Sequence, residues 1–279
     1  MSDSNLLVIG GPGSGKTTYG IQLLHRLQYQ VGILQLEKSI DDMSSVAEDS
    51  DRMARGLQVN HTVGSQYKST IYKLIDGNKR SHLLELADYK GEQIRSIGHS
   101  NIVPTDWVVR ARNSQRWLYL LRVDTVQSRK NFFVNPIETG NKEPEEVNEK
   151  SSGLELWTIE VLQRLLFVRG ASTRSAVSSP RLAFVLSVWD ELQGADADLL
   201  PWDLLESRAP LLFNFLRANW LASEIEIFGL SATEKTLPEE KPDLEFAKNG
   251  STKGYIVTSK GERISDLTVP LAWLLNAYP

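Results

Sequence analysis

Gly10-Gly11-Pro12-Gly13-Ser14-Gly15-Lys16-Thr17 lies between an apolar run, Leu6 to Ile9, and a segment whose apolar residues recur at helical spacing. A glycine-rich turn between strand and helix can aim several main-chain N–H groups at one anion, and the positive end of the following helix adds to the attraction. Lys16 supplies a point charge for the β- and γ-phosphates, and Thr17 a hydroxyl for Mg²⁺. In this strand-loop-helix context the pattern is a P-loop, and Gly11, Pro12, Gly13, Ser14, Gly15, Lys16, Thr17 and Thr18 are the expected phosphate contacts.

Three further groups fall just past the ends of expected strands. Ser81 to Ala87 runs into Asp88-Tyr89-Lys90-Gly91, where Asp88 could hold the water shell of Mg²⁺ and the Gly91 N–H could approach a γ-phosphate unobstructed. Arg181 to Val188 runs into Asp190, a carboxylate able to accept both N1–H and the exocyclic amine of guanine, a donor pair that adenine lacks. Glu224 to Leu230 runs into Ser231-Ala232-Thr233, where the Ala232 N–H could donate to the guanine O6. Taken singly, Asp190 and Ser231 are ordinary helix-capping types, and D-x-x-G is an ordinary turn.

The elements that must carry these groups alternate. Leu6 to Ile9 reads as a buried strand and Thr17 to Leu27 as a helix, with Ile21, Leu24 and Leu27 on one face. A helix within Asp41 to Arg55 is closed by Gly56. Tyr67 to Ile75, the turn at Asp76-Gly77-Asn78 and Ser81 to Leu86 form a β-hairpin. There follow a helix over Ile102 to Asn113, a strand over Trp117 to Val123, a helix over Leu154 to Val168, a strand over Arg181 to Val188, one helix over Trp202 to Trp220 and a last core strand over Glu224 to Leu230. A polar loop over Thr233 to Gly250 leads to Gly254 to Thr258 and a short terminal helix through Leu271 to Leu275, whose Trp273, Leu274 and Leu275 suit core packing better than a partner surface. Such alternation implies a mainly parallel sheet covered on both faces, with ligands beyond the carboxyl ends of the strands.

With 279 residues, 41% hydrophobic and 24% charged, the chain has material for one core, and a single domain spanning 1–279 is expected. Within it, about 125–152 reads as a mobile acidic insertion, because Glu138 to Ser152 holds five glutamates and no aromatic residue, and about 234–279 as a C-terminal extension. A net charge of −4 without clustered Lys or Arg argues against nucleic acid as a partner. No apolar run approaches the roughly 20 residues that span a bilayer, so no membrane association is expected. Without cysteine, disulfides and thiolate metal sites are excluded, and the N-terminal Met1-Ser2-Asp3-Ser4 has no signal-peptide character, so a cytoplasmic protein is expected.

In this order, the four segments resemble the motif set of TRAFAC-class, Ras-like P-loop GTPases: G-x-x-x-x-G-K-T at Gly10 to Thr17, D-x-x-G at Asp88 to Gly91, a degenerate N/T-K-x-D at Ser187 to Asp190, and S-A-K/L at Ser231 to Thr233. The hairpin before Asp88 and the ending Asp266 to Leu275 look like small bacterial GTPases of the double-GTPase type found in multi-gene defence or conflict systems. The resemblance implies a three-layer α/β Ras-like domain with a mostly parallel central sheet, one antiparallel hairpin strand and loop insertions. It implies a molecular switch that binds Mg²⁺·GTP and hydrolyses it to GDP. A protein effector or regulator, or a second GTPase, would be its partner. Lys16, Thr62, Gly91 and Glu92 would then be catalytic, Thr17, Thr62 and Asp88 would serve Mg²⁺, and Ser187, Asp190, Ser231 and Ala232 would hold the base.

Two departures matter. Glu92 stands where the family often has a water-orienting glutamine, and a carboxylate beside a γ-phosphate is repelled, so hydrolysis should be slow or partner-assisted. Val188 stands where the family has a lysine over the base, leaving Val188 or Trp189 as an apolar cover. Arg52 and Arg55 read as solvated helix charges, with a cis arginine finger as the other reading. A small-molecule kinase is a competing assignment, but its arginine-rich lid is missing, since Asp124 to Ser152 holds only Arg129. A non-hydrolysing nucleotide-sensing scaffold is the third.

Overall fold

The computed structural model describes residues 6–29, 32–37, 47–59, 68–88, 94, 97–98, 102–123, 149–171 and 175–278. In chain order the elements are β1 (Leu6–Gly10), α1 (Lys16–Gln28), β2 (Gln35–Leu36), α2 (Ala47–Ala54), β3 (Lys68–Ile75), β4 (Ser81–Asp88), α3 (Thr105–Asn113), β5 (Arg116–Arg122), α4 (Glu149–Val168), β6 (Arg181–Ser187), α5 (Pro201–Arg208), α6 (Pro210–Asn219), β7 (Ile225–Ser231), α7 (Leu244–Asn249), β8 (Tyr255–Val257), β9 (Arg263–Ile264) and α8 (Val269–Leu274).

A six-stranded sheet runs β1-β5-β6-β7-β8-β9, its first four strands parallel and its last two antiparallel. Because side chains alternate along a strand, each parallel strand feeds two cores. Trp117, Tyr119 and Leu121 of β5 point to the face covered by α3, α4, α5 and α6, while Leu118 and Leu120 point to the face covered by α1 and α8. The layers are therefore helix, sheet, helix, the α/β class expected. Tyr119 stacks on Phe184 with ring centroids 5.1 Å apart, joining β5 to β6 through the middle of one core.

The expected antiparallel hairpin is present, and it lies in a sheet of its own. Instead of adding a strand to the central ladder, β3 and β4 pair over eight residues and take β2 as a third strand of a separate sheet, whose Tyr72, Leu74 and Leu84 pack on Leu6 and Val8 of β1.

Other expected elements shift for local reasons. The helix expected from Ile102 begins at Thr105, since Pro104 occupies its N-cap. The Trp202 to Trp220 helix is two helices, because Pro210 lacks an N–H and forces Ala209 to φ −140°, ψ 65°. Residues 149–152, expected in the acidic insertion, already belong to α4, and α7 lies inside the expected polar loop. β7 is not the last core strand: β8 pairs with it and is buried throughout. Leu274 and Leu275 pack in the core, as their composition suggested. No helix among the described residues is long and apolar enough to cross a membrane.

Candidate functional site

The phosphate-type loop is a closed turn on top of β1. Ser14 Oγ donates to the Gly11 carbonyl at 2.9 Å, and Lys16 Nζ donates to the carbonyls of Gly10 at 2.6 Å and Gly11 at 2.8 Å and to Ser14 Oγ at 3.2 Å. Gly13 and Gly15 sit at φ 69° and 79°, left-handed conformations that disfavour any side chain, and Gly15 is the N-cap of α1. A Cβ on Gly10 would lie 2.6 Å from Ser14 Oγ and 2.8 Å from the Leu120 carbonyl, so only glycine fits there. Below the loop lies Trp157 of α4. Its indole is 3.0 Å from where a Cβ on Gly11 would stand, and it would overlap a Cβ on Gly98.

At the end of β6, Ser187 is buried and its hydroxyl donates to the Ser14 carbonyl at 2.9 Å and the Leu121 carbonyl at 3.3 Å. Val188 follows in the left-handed region, φ 62° and ψ 38°, an unusual place for a β-branched residue. That turn sends Trp189 into the core, where its ring fills the space beside Gly229, and brings Asp190 to the surface of a cavity. Trp189 therefore does not cover a base; Val188 lines the cavity instead. Ser231, at the end of β7, is fully buried, and its hydroxyl accepts from the Glu234 N–H at 2.9 Å, so it shapes the turn while its neighbour Ala232 reaches the cavity. Behind this side, burial pushes the Tyr255 phenol up, the Arg263 guanidinium over its ring opposes that, and Asp190 and Glu234 add to the rise.

The cavity measures about 410 Å³. It gathers Pro12 to Thr18, Ser187, Asp190 and Ala232 from three strand ends, while Gly11 contributes only carbonyl anchors behind the wall. The sequence reading missed a further part of the lining: Met53, Gln58 and Val59 from the α2 side, and Lys235, Thr236 and Leu237 after β7. It also missed Arg122 at the end of β5, whose guanidinium contacts Glu191 at 3.3 Å, with Thr236 Oγ1 donating to the other Glu191 oxygen. The strand-end position of Arg122 was the one signal available for it.

Arg52 and Arg55 already have partners, and neither lines the cavity. Arg52 donates to the Gln58 and Glu239 carbonyls, and Arg55 pairs with Asp51 in the solvent at 2.7 Å. Neither is poised as a finger. Thr62, Gly91 and Glu92 lie outside the described residues; Asp88 ends β4 opposite Lys68. Mg²⁺ prefers hard oxygen donors, keeps several waters and takes few protein ligands when it rides on phosphates. Thr17, the second residue of α1, lines the cavity beside Lys16 and offers a hard oxygen donor that fits that mode.

A family model described as Double-GTPase 1 matches residues 7–274. No curated protein matches the sequence. Among solved structures, the mammalian SRP receptor is similar at 14% identity and a TM-score of 0.40, over 88% of this chain and 97% of that one. The signal recognition particle receptor SRβ–GTP/SRX complex of Chaetomium thermophilum gives 14% identity and a TM-score of 0.41, over 95% and 100%. Sup35 complexed with GDP gives 12% identity and 0.35, over 88% of this chain and 44% of that one.

Proposed function

Since this chain belongs to the Double-GTPase 1 family, we propose that it is a guanine-nucleotide switch that binds Mg²⁺·GTP and slowly hydrolyses it to GDP and phosphate under the control of a protein partner. The observation that carries the reading is one cavity bounded by Gly13 to Thr18 on one side and by Asp190 and Ala232 on another. The loop amides and Lys16 bind the phosphates, with Lys16 exchanging its carbonyl partners for phosphate oxygens. Asp190 accepts the two N–H groups of the guanine edge and the Ala232 N–H donates to O6. Ser187 keeps these two halves at a fixed spacing.

Thr17, Thr62 and Asp88 would hold Mg²⁺, which would supply positive charge to offset the negative charge that develops as the phosphoryl group is transferred. In hydrolysis a water oxygen bonds to the γ-phosphorus, the bond to the β–γ bridging oxygen breaks, and GDP leaves with the electron pair. Thr62 and Gly91 sense the γ-phosphate, and Glu92 in place of glutamine makes the step slow without help in trans. The partner is an effector or a second GTPase, and the setting is a cytoplasmic bacterial defence or conflict system.

Binding of fluorescent GDP and ADP to the purified protein, with Lys16→Ala and Asp190→Ala alongside, tests the reading. GDP should bind more tightly than ADP, Lys16→Ala should abolish binding of both, and Asp190→Ala should erase the preference. Equal or tighter ADP binding sinks the guanine assignment in favour of an ATP-dependent enzyme. GDP binding without phosphate release from GTP over hours would leave a nucleotide-sensing scaffold.

A further inference from the structure

Part of the cavity lining is assembled from two segments far apart in sequence, and Arg52 bridges them. After α2 the chain turns at Gly56, φ 73°, and runs beside residues 238–243: the Gln58 N–H donates to the Pro238 carbonyl at 2.8 Å and the Asp243 N–H to the Gly56 carbonyl at 3.0 Å. Met53 and Leu237 face the cavity and meet Ile21 and Phe246 in a small apolar cluster. Across this seam Arg52 donates from Nε to the Gln58 carbonyl at 2.9 Å and from a terminal nitrogen to the Glu239 carbonyl at 3.1 Å.

We infer that Arg52 is a positioning residue that holds the 56–59 and 235–239 segments together as a retaining wall over bound nucleotide, and thereby sets the rate at which GDP leaves. The inference rests on the nucleotide reading of this cavity. A planar fork spanning two carbonyls fixes their separation, as an ammonium does less well. The wall carries no motif group, so Arg52 governs escape rather than base choice. Losing a contact of this kind acts mainly on dissociation.

The test is displacement of fluorescent GDP by excess unlabelled GDP, followed in time, for the wild type and for Arg52→Ala, Arg52→Lys and Arg55→Ala. Arg52→Ala should release GDP about tenfold faster with the association rate and the GDP-over-ADP preference unchanged. Arg52→Lys should fall between it and the wild type, and Arg55→Ala should match the wild type. Wild-type release from Arg52→Ala overturns the inference alone, and if that variant does not fold, wild-type release from Arg52→Lys does so. A wild-type protein that binds no guanine nucleotide overturns the inference together with its premise.

Discussion

Ser187 donates its hydroxyl to the main-chain carbonyl of Ser14 at 2.9 Å, with both residues buried. The end of β6 and the loop after β1 are thereby held at one spacing, although 173 residues separate them in sequence. Ser187→Ala leaves the Ser14 carbonyl without this donor and should cost about 1 kcal/mol of stability. GDP affinity should fall severalfold while guanine preference persists, since Asp190 is untouched. Thermal unfolding and fluorescent-GDP titration measure the two effects; an unchanged affinity would mean that the spacing is kept by other contacts.

Val188 at φ 62° carries strain that glycine would relieve. A left-handed L-residue costs roughly 1–2 kcal/mol, against roughly 0.5–1 kcal/mol of extra chain entropy for glycine. Val188→Gly should therefore raise the melting temperature slightly and weaken GDP binding severalfold by removing apolar wall from the cavity. A lower melting temperature would count against strain at this turn.

Asp190→Asn exchanges an acceptor pair for an acceptor and a donor. Xanthine nucleotides, with a carbonyl at C2, suit that amide, so preference should move from GDP towards XDP. Competition between the two for the fluorescent-GDP site reads it, and intact guanine preference would mean that the base lies elsewhere in the cavity.

Asp76 gives a pH signature away from the site. Burial opposes its ionisation, but the Arg80 N–H, His82, the Arg80 guanidinium and the Asn78 N–H outweigh it and bring its pKa from 3.8 down to about 2. A depressed carboxylate stabilises the fold fully above its unfolded pKa and loses that contribution as pH falls through the folded value. The carboxylate is shielded while Arg80 is half exposed, so about 1–2 kcal/mol is expected. Asp76→Asn should be less stable than wild type by that amount from pH 5 to 8, and the gap should close between about pH 4 and 2. A pH-independent gap in denaturant unfolding would remove the ionic account.

The parallel strands and the phosphate loop were legible because their signals are local: continuous apolar runs such as Leu182 to Leu186, and glycines next to Lys16. Asp190 and Ala232 stood out because strand ends are where such sheets present ligands, and both line the cavity. What the sequence hid is long-range. Nothing in Gln58 indicates that its amide meets Pro238, and nothing in Met53 points to Leu237 and Phe246. The break at Ala209 was readable from Pro210 but was masked by the strong helical period on both sides. Trp189 had been a possible base cover, and only the left-handed turn at Val188 decides that it faces inward.

Trp157 constrains how this chain can vary. Its indole occupies the space that a side chain at Gly98 would need and leaves only a tight fit for one at Gly11, so change at either glycine is coupled to this tryptophan. Gly98 can acquire a methyl group only in a lineage that has first shrunk the tryptophan, whereas a methyl at Gly11 needs the ring to give by a few tenths of an ångström, and a shrunken tryptophan leaves a void that an alanine at Gly98 would partly refill. Substitutions tolerated one at a time elsewhere would here be inherited together.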